Sequence, residues 1–300
     1  QLRSVFYSFD GISDDLQPIG HEVSYLFFNP KAMLSYKLNE KNRLYAYYGK
    51  SSREPLRNDF VEVEPSNWPE HETVHDIELG FNRRTSKLAF TANFYYMHFN
   101  NQLVQSGEVN DVGSYLRVNV PTSYRRGLEL ELKAQLAKRI NWNGNLTLSQ
   151  NKIKEWVAFV EQYDENFDWL GQVEESYNNT DISFSPNAIG FSNFDFEIFD
   201  NCIISLQTKF VGKQYLDNTQ NDSRSIAPYV VNDLILNYTI GKTDYFKSIR
   251  IQAMAYNFMN EMYESNGWTW MYDFAGTRSQ ENYFYPQAGR NYMVGLVFGF

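Results

Sequence analysis

The sequence is poor in cysteine, in histidine and in long apolar runs. Its single cysteine, Cys202, excludes a disulfide within the chain, and its four histidines do not follow a metal-ligand spacing. No segment reaches the run of about 18 apolar residues that marks a transmembrane helix. A formal net charge of -9 is the opposite of the basic surface that nucleic acid attracts. The composition therefore predicts no metal site, no cofactor and no nucleic-acid partner.

The chain also lacks a starting methionine and a charged-then-apolar leader. It begins at Gln1, so we expect either that a signal peptide has been removed or that the sequence is a piece of a longer protein. Its 300 residues are enough for one large all-β domain or two ordinary ones. No linker, low-complexity tract or long helix-period segment divides the chain.

Aromatic residues are abundant instead, with 22 Tyr, 23 Phe and an aromatic share of 17%. This share is high for a soluble protein and suits a β-barrel with aromatic girdles at both membrane interfaces. The mean hydropathy of -0.51 is compatible with such a barrel. A barrel strand turns only every second residue towards lipid, which dilutes its apolar signal.

The last ten residues alternate between the two faces of a predicted strand. One face carries large apolar side chains, namely Tyr292, Val294, Leu296, Phe298 and Phe300. A chain that ends on the aromatic residue of such a strand resembles the closing strand of a bacterial outer-membrane β-barrel. A terminal strand of a soluble sheet would show the same alternation, so the rest of the chain has to decide.

Period-two segments recur along the whole chain, and they predict twelve strands. The predicted strands are 3–9, 31–38, 43–51, 74–82, 87–101, 122–137, 142–154, 188–199, 202–214, 229–240, 247–258 and 290–300. Short polar turns are predicted near 39–42, 83–86, 138–141, 199–201 and 241–244, and long aromatic-rich loops at 53–73, 102–121, 156–186, 216–227 and 259–289. Short turns at one end and long loops at the other are typical of an outer-membrane barrel, with periplasmic turns and extracellular loops. A soluble β-sandwich is the less favoured alternative.

Several longer strings narrow the type of barrel. They are LFFNPKAMLSYKL (26–38), YYGKSSREPLRNDF (47–60), VHDIELGF (74–81), TSYRRGLELEL (122–132), KQYLDNTQNDSRSIAPYVVNDLILNY (213–238), YNFMNEMYESNGW (256–268) and YFYPQAGRNYMVGLVFGF (283–300). In this order they resemble the C-terminal part of a TonB-dependent receptor, an energised outer-membrane importer of ferric siderophores, haem, cobalamin and some glycans. The resemblance covers essentially the whole chain.

The resemblance implies an all-β fold, an antiparallel transmembrane β-barrel of about 22 strands that surrounds an N-terminal plug domain. This chain would supply about twelve of those strands, so residues 1–300 would be the C-terminal part of the barrel, with the plug domain and the N-terminal strands absent. A twelve-stranded barrel that closes on itself is the alternative, because the strand number is even and closure removes both edges.

The inward face of the predicted strands is rich in charge of both signs. The residues that we expect to face the plug are Glu129, Glu131, Lys133, Asp195, Glu197 and Arg250. The alternative is a polar lumen whose ion pairs only keep the wall solvated. Glu129 and Glu131 could serve as acid and base, but two carboxylates two residues apart on a strand only face the same lumen, and nothing near them in the sequence indicates catalysis. We therefore predict no catalytic residue and no enzyme.

The long predicted loops carry the candidates for ligand contact, because loops on a rigid scaffold often bind ligands. The candidates are Trp156, Tyr163, Trp169, Tyr177, Trp268, Trp270, Tyr272 and Arg278. Aromatic clusters suit planar or chelate ligands. The alternative is that these aromatic residues form the outer interface girdle.

The resemblance implies TonB-energised import of a ferric siderophore or similar metal chelate across the outer membrane of a Gram-negative cell. Its implied partners are the TonB complex through the missing plug region, the chelate, outer-membrane lipid, and the barrel-assembly machinery through Phe300. The string at 283–300 is closer to siderophore and metal-chelate receptors than to glycan importers. The alternative is a self-contained outer-membrane barrel that acts as a passive pore, an adhesin or a membrane enzyme.

Overall fold

The computed structural model describes residues 1–12, 20–61, 68–109, 115–243 and 245–300. Strands dominate it, and α1 (Arg57–Val61) is a single short helix. The strands are β1 (Leu2–Phe9), β2 (His21–Phe28), β3 (Lys31–Asn39), β4 (Asn42–Arg53), β5 (Glu72–Arg84), β6 (Leu88–Val109), β7 (Tyr115–Ala137), β8 (Ile140–Tyr163), β9 (Trp169–Asp181), β10 (Ala188–Phe199), β11 (Cys202–Val211), β12 (Gln214–Tyr215), β13 (Ser225–Ile226), β14 (Tyr229–Ile240), β15 (Ser248–Tyr256), β16 (Glu264–Phe274), β17 (Thr277–Pro286) and β18 (Asn291–Gly299). No helix in the described ranges is long and apolar enough to cross a membrane.

One antiparallel sheet organises the chain. Its main path runs β18-β15-β14-β11-β10-β8-β7-β6-β5-β4-β3. Neighbours on this path are consecutive in the chain, except that the long connections between some of them contain β9, β12, β13, β16 and β17. Strands β1 and β2 form a separate pair, as do β12 and β13. Within the described residues β3 and β18 do not pair with each other, so the sheet is open. The alternative of a twelve-stranded barrel closed on itself is therefore not observed.

The connections alternate in length as the sequence predicted. The five predicted turns join β3 to β4, β5 to β6, β7 to β8, β10 to β11 and β14 to β15. Their chemistry is local: Asn39 Oδ1 accepts a hydrogen bond from the Lys41 amide at 3.0 Å, and Thr85 Oγ1 accepts one from the Leu88 amide at 3.0 Å. Asn201 sits in its turn with φ of 64°, a conformation that asparagine tolerates. All five turns lie at one end of the sheet, and the long connections lie at the other.

Strands β6 and β7 show how the sheet separates an apolar face from a polar one. Phe90 and Phe94 of β6 lie opposite Leu132 and Leu128 of β7. The other face carries Asn93, whose amide donates to Glu78 and Glu129 at 3.3 Å each and whose Oδ1 accepts from the Tyr45 hydroxyl at 2.9 Å. An apolar outer band and a hydrogen-bonded inner face are the alternation that a barrel wall needs in lipid.

The prediction of loops in the long connections was wrong for much of their length. Strands β6, β7 and β8 continue well past the predicted ends, and β9, β16 and β17 lie wholly inside segments predicted as loops. These segments are rich in Trp, Tyr, Phe, Val and Thr, which favour extended structure when they can pack on a neighbouring strand. Strand β2 was also missed, although all twelve predicted strands are present.

A small apolar core lies above the sheet, at the end with the long connections. It consists of Val104, Val120, Ile153, Trp156 and Ile182. The segment between β12 and β13 packs beside it rather than in solvent: Leu216, Asn218 and Arg224 are at most 1% exposed. Asn218 fixes this segment, because its side chain donates to the Gln105 carbonyl at 2.6 Å and accepts from the Ser183 amide at 2.9 Å.

Candidate functional site

Two long hairpins meet above the sheet, and their contact defines the candidate site. The upper part of β8 pairs with β9, and β16 pairs with β17. Strand β16 then pairs with β8 in parallel, with Tyr272 opposite Glu161 and Phe274 opposite Tyr163. The β16–β17 hairpin leaves the sheet between β15 and β18, so this pairing carries it across several strands to β8. The four strands form one extension at the end with the long connections.

Aromatic rings line the junction of the two hairpins. Trp270 stacks on Tyr272 at 4.3 Å between ring centroids, and Tyr163 meets Tyr272 edge-on at 6.1 Å. Phe167 packs on Phe274 at 4.4 Å and was not among the predicted site residues. Offset and edge-on ring pairs stabilise such junctions by about 0.5–1.5 kcal/mol each. Three predicted candidates, Tyr163, Trp270 and Tyr272, are thus brought into direct contact.

A cavity of about 700 Å³ lies between the upper ends of β7 and β8, strand β16 and the segment after β12. Its aromatic wall includes Trp156, Phe159, Trp268 and Trp270. The remaining lining residues are Ser106, Val118, Asn119, Val120, Pro121, Glu155, Val157, Ala158, Glu161, Gln172, Asp217, Thr219, Thr269 and Met271. A partly apolar cavity of this size with a few polar groups is typical of a small-molecule site.

Trp156 contributes the least satisfied polar group in the cavity wall. The side chain is 6% exposed and packs in the apolar core. Its indole Nε1–H has no hydrogen-bond partner in the described part of the chain. Leaving a buried donor unpaired costs about 1–3 kcal/mol, and this donor lies beneath the cavity surface, where it is closed to water.

A second pair of stacked rings also involves strand β16. Trp268 lies parallel to Tyr283 of β17, with 4.5 Å between ring centroids and 12° between ring planes. The stacking holds the indole in a fixed orientation along the cavity wall. Tyr283 was not predicted, because a tyrosine in a segment predicted as a loop gives no sign of its partner.

The charges at the cavity are mainly negative. Glu161 accepts a hydrogen bond from the Tyr163 hydroxyl at 2.5 Å, and this bond raises the pKa of Tyr163 to about 12. Asp217 pairs with the buried Arg224 at 2.9 Å. Glu155 is exposed at the rim. None of these acidic residues was among the predicted ligand contacts.

Arg278, a predicted ligand contact, is occupied by two carboxylates. Its guanidinium donates to Asp273 at 2.5 Å and to Glu175 at 2.7 Å. These bonds raise the pKa of Arg278 and hold the pKa values of Glu175 and Asp273 below their ordinary range. The side chain does not line the cavity, and it joins the two hairpins.

Two other predicted contacts lie away from the cavity lining. Trp169 is 61% exposed at the start of β9. Tyr177 packs against the apolar core and donates to Glu175 at 2.7 Å. Of the eight predicted ligand contacts, the cavity wall contains Trp156, Trp268 and Trp270, and the adjoining ring cluster contains Tyr163 and Tyr272.

The residues predicted to face a plug lie on the polar face, towards the turns. Glu129 is bound by Asn93, Glu131 pairs with Lys133 at 3.2 Å, and Asp195 accepts from the Ser205 hydroxyl at 2.6 Å. Arg250 lies opposite Thr239 and Val297 in the sheet, and Glu197 adjoins the turn between β10 and β11. Their separation from the cavity makes them a second, distinct set.

A second cavity, of about 620 Å³, lies on the polar face below the first. Two of its lining residues are Arg117 and Arg125. Arg117 pairs with Asp59 at 3.3 Å, whereas Arg125 donates to the Asn151 and Ser185 side-chain oxygens at 3.3 Å each and has no ion pair within the described residues. In the same ranges no group of three or more His, Cys, Asp or Glu side chains could hold a metal ion.

A family model described as TonB dependent receptor-like, beta-barrel, matches residues 3–258. Among solved structures, the siderophore receptor PiuA from Acinetobacter baumannii has a TM-score of 0.70 and 16% identity, covering 95% of this chain and 37% of PiuA. The ferric yersiniabactin uptake receptor FyuA from Yersinia pestis has a TM-score of 0.65 and 17% identity, covering 96% and 40%. The ferric-catecholate import receptor Fiu from K12 E. coli has a TM-score of 0.66 and 15% identity, covering 98% and 40%.

The chain thus spans about two fifths of the length of these receptors. At such identities the structural likeness establishes the fold alone. Among curated proteins, no sequence matches this chain.

Proposed function

This chain belongs to the TonB-dependent receptor β-barrel family of outer-membrane transporters, and from that premise we propose that it forms the C-terminal part of an importer of metal chelates. The import of chelates is characteristic of related receptors, and the similar solved structures include a siderophore receptor, a ferric yersiniabactin uptake receptor and a ferric-catecholate import receptor. We assign the chelate site of this protein to the aromatic cavity between β8 and β16.

The observation that carries the proposal is the tryptophan wall of that cavity. Trp268 and Trp270 are held by stacking on Tyr283 and Tyr272, so both indoles are already ordered before a ligand arrives. An ordered wall reduces the entropy that binding must overcome. The cavity lies at the end with the long connections, which is the extracellular end in this family, and a ligand would reach it from outside.

The polar face supports a second part of the proposal, namely that a plug domain fills the lumen. Arg125 is half-buried in the second cavity and has no ion pair in the described ranges, and a partly buried charge without an ionic partner is costly. A carboxylate on a plug segment would supply that partner. The open edges of β3 and β18 support the companion proposal that further strands complete the barrel, because unpaired backbone groups are not viable in hydrocarbon.

The proposal includes energisation by TonB, which would act on the plug region rather than on residues 1–300. Transport would then stop when the proton gradient of the inner membrane is collapsed. A passive pore would keep passing its solute under the same conditions, so this measurement separates the two functions.

Growth on defined chelates tests the proposed function. A strain that lacks the intact gene would be grown on ferric siderophores of several chemical classes, haem, cobalamin and glycans, and then complemented. We expect growth on at least one metal chelate to return with the wild-type gene and to fail with Trp268→Ala together with Trp270→Ala. Trp169→Ala is the matched control, because Trp169 is a tryptophan of the same extension outside the cavity lining. Rescue only by glycans, or equal rescue by both variants, would contradict the proposal.

A further inference from the structure

The electric charge of the ligand can be inferred from the same cavity, and this inference rests on the proposed function. The lining contains three carboxylates, Glu155, Glu161 and Asp217, and no Lys or Arg among its described residues. A cavity of one sign attracts the opposite charge and repels its own, and low-dielectric walls strengthen both effects.

The neighbouring cations do not reverse this charge. Arg224 is 1% exposed and pairs with Asp217 at 2.9 Å, so these two residues neutralise each other. Arg278 is held by Glu175 and Asp273 outside the lining. Glu155 and Glu161 have no ion pair in the described part of the chain, and they leave the cavity negative.

The aromatic wall also favours a cationic ligand over an anionic one. The face of an indole ring carries partial negative charge, which attracts a cation and repels an anion. Trp268 and Trp270 present two such rings at the lining. The indole Nε1–H of Trp156 is buried beneath the cavity surface and does not offset this preference.

We propose that this receptor selects metal chelates that are neutral or positively charged, and that it discriminates against anionic chelates such as a ferric tris-catecholate. The cavity therefore differs in specificity from a receptor for ferric catecholates, even though the fold is similar to the ferric-catecholate receptor Fiu. Glu155 and Glu161 are the residues that set this preference.

Three gallium(III) chelates of one shape test the proposal. Each is the same linear tris-hydroxamate with a different end group: an ammonium, an acetamide or a succinamate, so that the complex is cationic, neutral or anionic. Equilibrium binding of radiogallium would be measured on outer-membrane vesicles that contain the full-length receptor. We expect the cationic probe to bind about tenfold more tightly than the anionic one at low ionic strength, because the two unpaired carboxylates attract a cation and repel an anion. High salt should reduce the difference.

The variant Glu155→Gln together with Glu161→Gln should bring the three affinities together, mainly by strengthening the binding of the anionic probe. Glu174→Gln is the control, because Glu174 is an exposed carboxylate of β9 outside the lining, and it should leave the order unchanged. Equal binding of the three probes by the wild-type receptor, or preference for the anionic probe, would overturn the inference whatever the variants do.

A fourth probe, the gallium tris-catecholate, separates the inference from the proposed function. If it alone binds, chelate import stands and the charge preference is wrong. If none of the four probes binds, both the proposed function and the charge preference are wrong. If the hydroxamate probes bind in the expected order and the tris-catecholate does not, both are supported.

Discussion

Arg278 on β17 donates to Glu175 on β9 across 2.7 Å, although the two residues are 103 positions apart in the chain. The same guanidinium also holds Asp273 of β16. Three strands are therefore joined at one side chain, beside the parallel pairing of β16 with β8. This contact fixes the wall that carries Trp268 and Trp270 against the hairpin that carries Trp156.

Removing Arg278 should loosen the β16–β17 hairpin without unfolding the barrel. Arg278→Ala leaves two carboxylates near each other, and like charges repel. Because the arginine side chain is 39% exposed, the cost to global stability should stay below about 1 kcal/mol. We expect faster hydrogen exchange over 264–286 and weaker chelate binding. As a control, Arg139→Ala breaks an exposed ion pair at the turn end and should change neither hydrogen exchange nor chelate binding. Unchanged exchange in Arg278→Ala would mean that the pairing of β16 with β8 is enough to hold the hairpin.

The same contact should depend on pH in the acid range. Hydrogen bonds from Arg278 lower the pKa values of Glu175 and Asp273, whose ordinary values are 4.5 and 3.8. A lowered pKa in the folded state adds stability that is complete above the ordinary value and is lost as the pH falls through the lowered value. Hairpin contacts should therefore be constant from pH 8 to about pH 5 and weaken below about pH 4. Hydrogen exchange over 264–286 measures this, and the acid transition should be absent from Arg278→Ala.

The alternation of β7 makes a prediction about lipid exposure. Leu132 lies opposite Phe90 on the apolar face, and Glu131 lies opposite Thr91 on the polar face. Leu132→Arg should cost roughly 2–4 kcal/mol if the residue lies near the bilayer midplane, whereas Glu131→Arg should cost much less. Spin labels at Leu130, Leu132, Phe194, Leu206 and Leu296 should be accessible to an apolar relaxation agent, and labels at Glu131, Asp195 and Gln207 should not. Equal accessibility of the two sets would contradict a wall between lipid and lumen.

The sequence predicted β1 and the eleven strands of the main sheet path, because alternation such as that of Leu128, Leu130 and Leu132 reports directly which face meets an apolar medium. It did not predict the hairpins above the sheet. Those strands are stabilised by distant partners, such as Phe274 opposite Tyr163, and a local pattern cannot report a pairing between segments so far apart.

The candidate site was predicted only in part, because its contacts also join segments that are far apart in the chain. Tryptophans in long connections were found by residue type alone, and Trp156, Trp268 and Trp270 do line the cavity. Arg278 has the residue type of a ligand contact, but its partner Glu175 lies on another hairpin. The neutralisation of Asp217 by Arg224 depends on a buried segment whose sequence is typical of a polar loop.

Phe300 should be needed for assembly into the outer membrane. Its ring is 81% exposed, and its nearest ring contact is Phe246, with 5.3 Å between centroids. We expect the barrel-assembly machinery to recognise this exposed aromatic residue after β18, which lies far from the cavity. Deleting Phe300 from the full-length protein should lower its surface level, while Phe300→Trp should not. Normal surface abundance of the deletion would show that assembly does not depend on this residue.

The open sheet makes the last prediction, which concerns residues 1–300 alone. Strands β3 and β18 each leave one edge without a partner in the described residues. In hydrocarbon each unpaired backbone group costs several kcal/mol, so the isolated chain should not insert as a stable monomer and should associate through these edges. Refolding it into detergent and measuring its mass by light scattering tests this, with the full-length receptor as the control. A monodisperse, heat-resistant monomer with strong β circular dichroism would instead mean that twelve strands close on themselves, and the proposal that further strands complete the barrel would then be wrong.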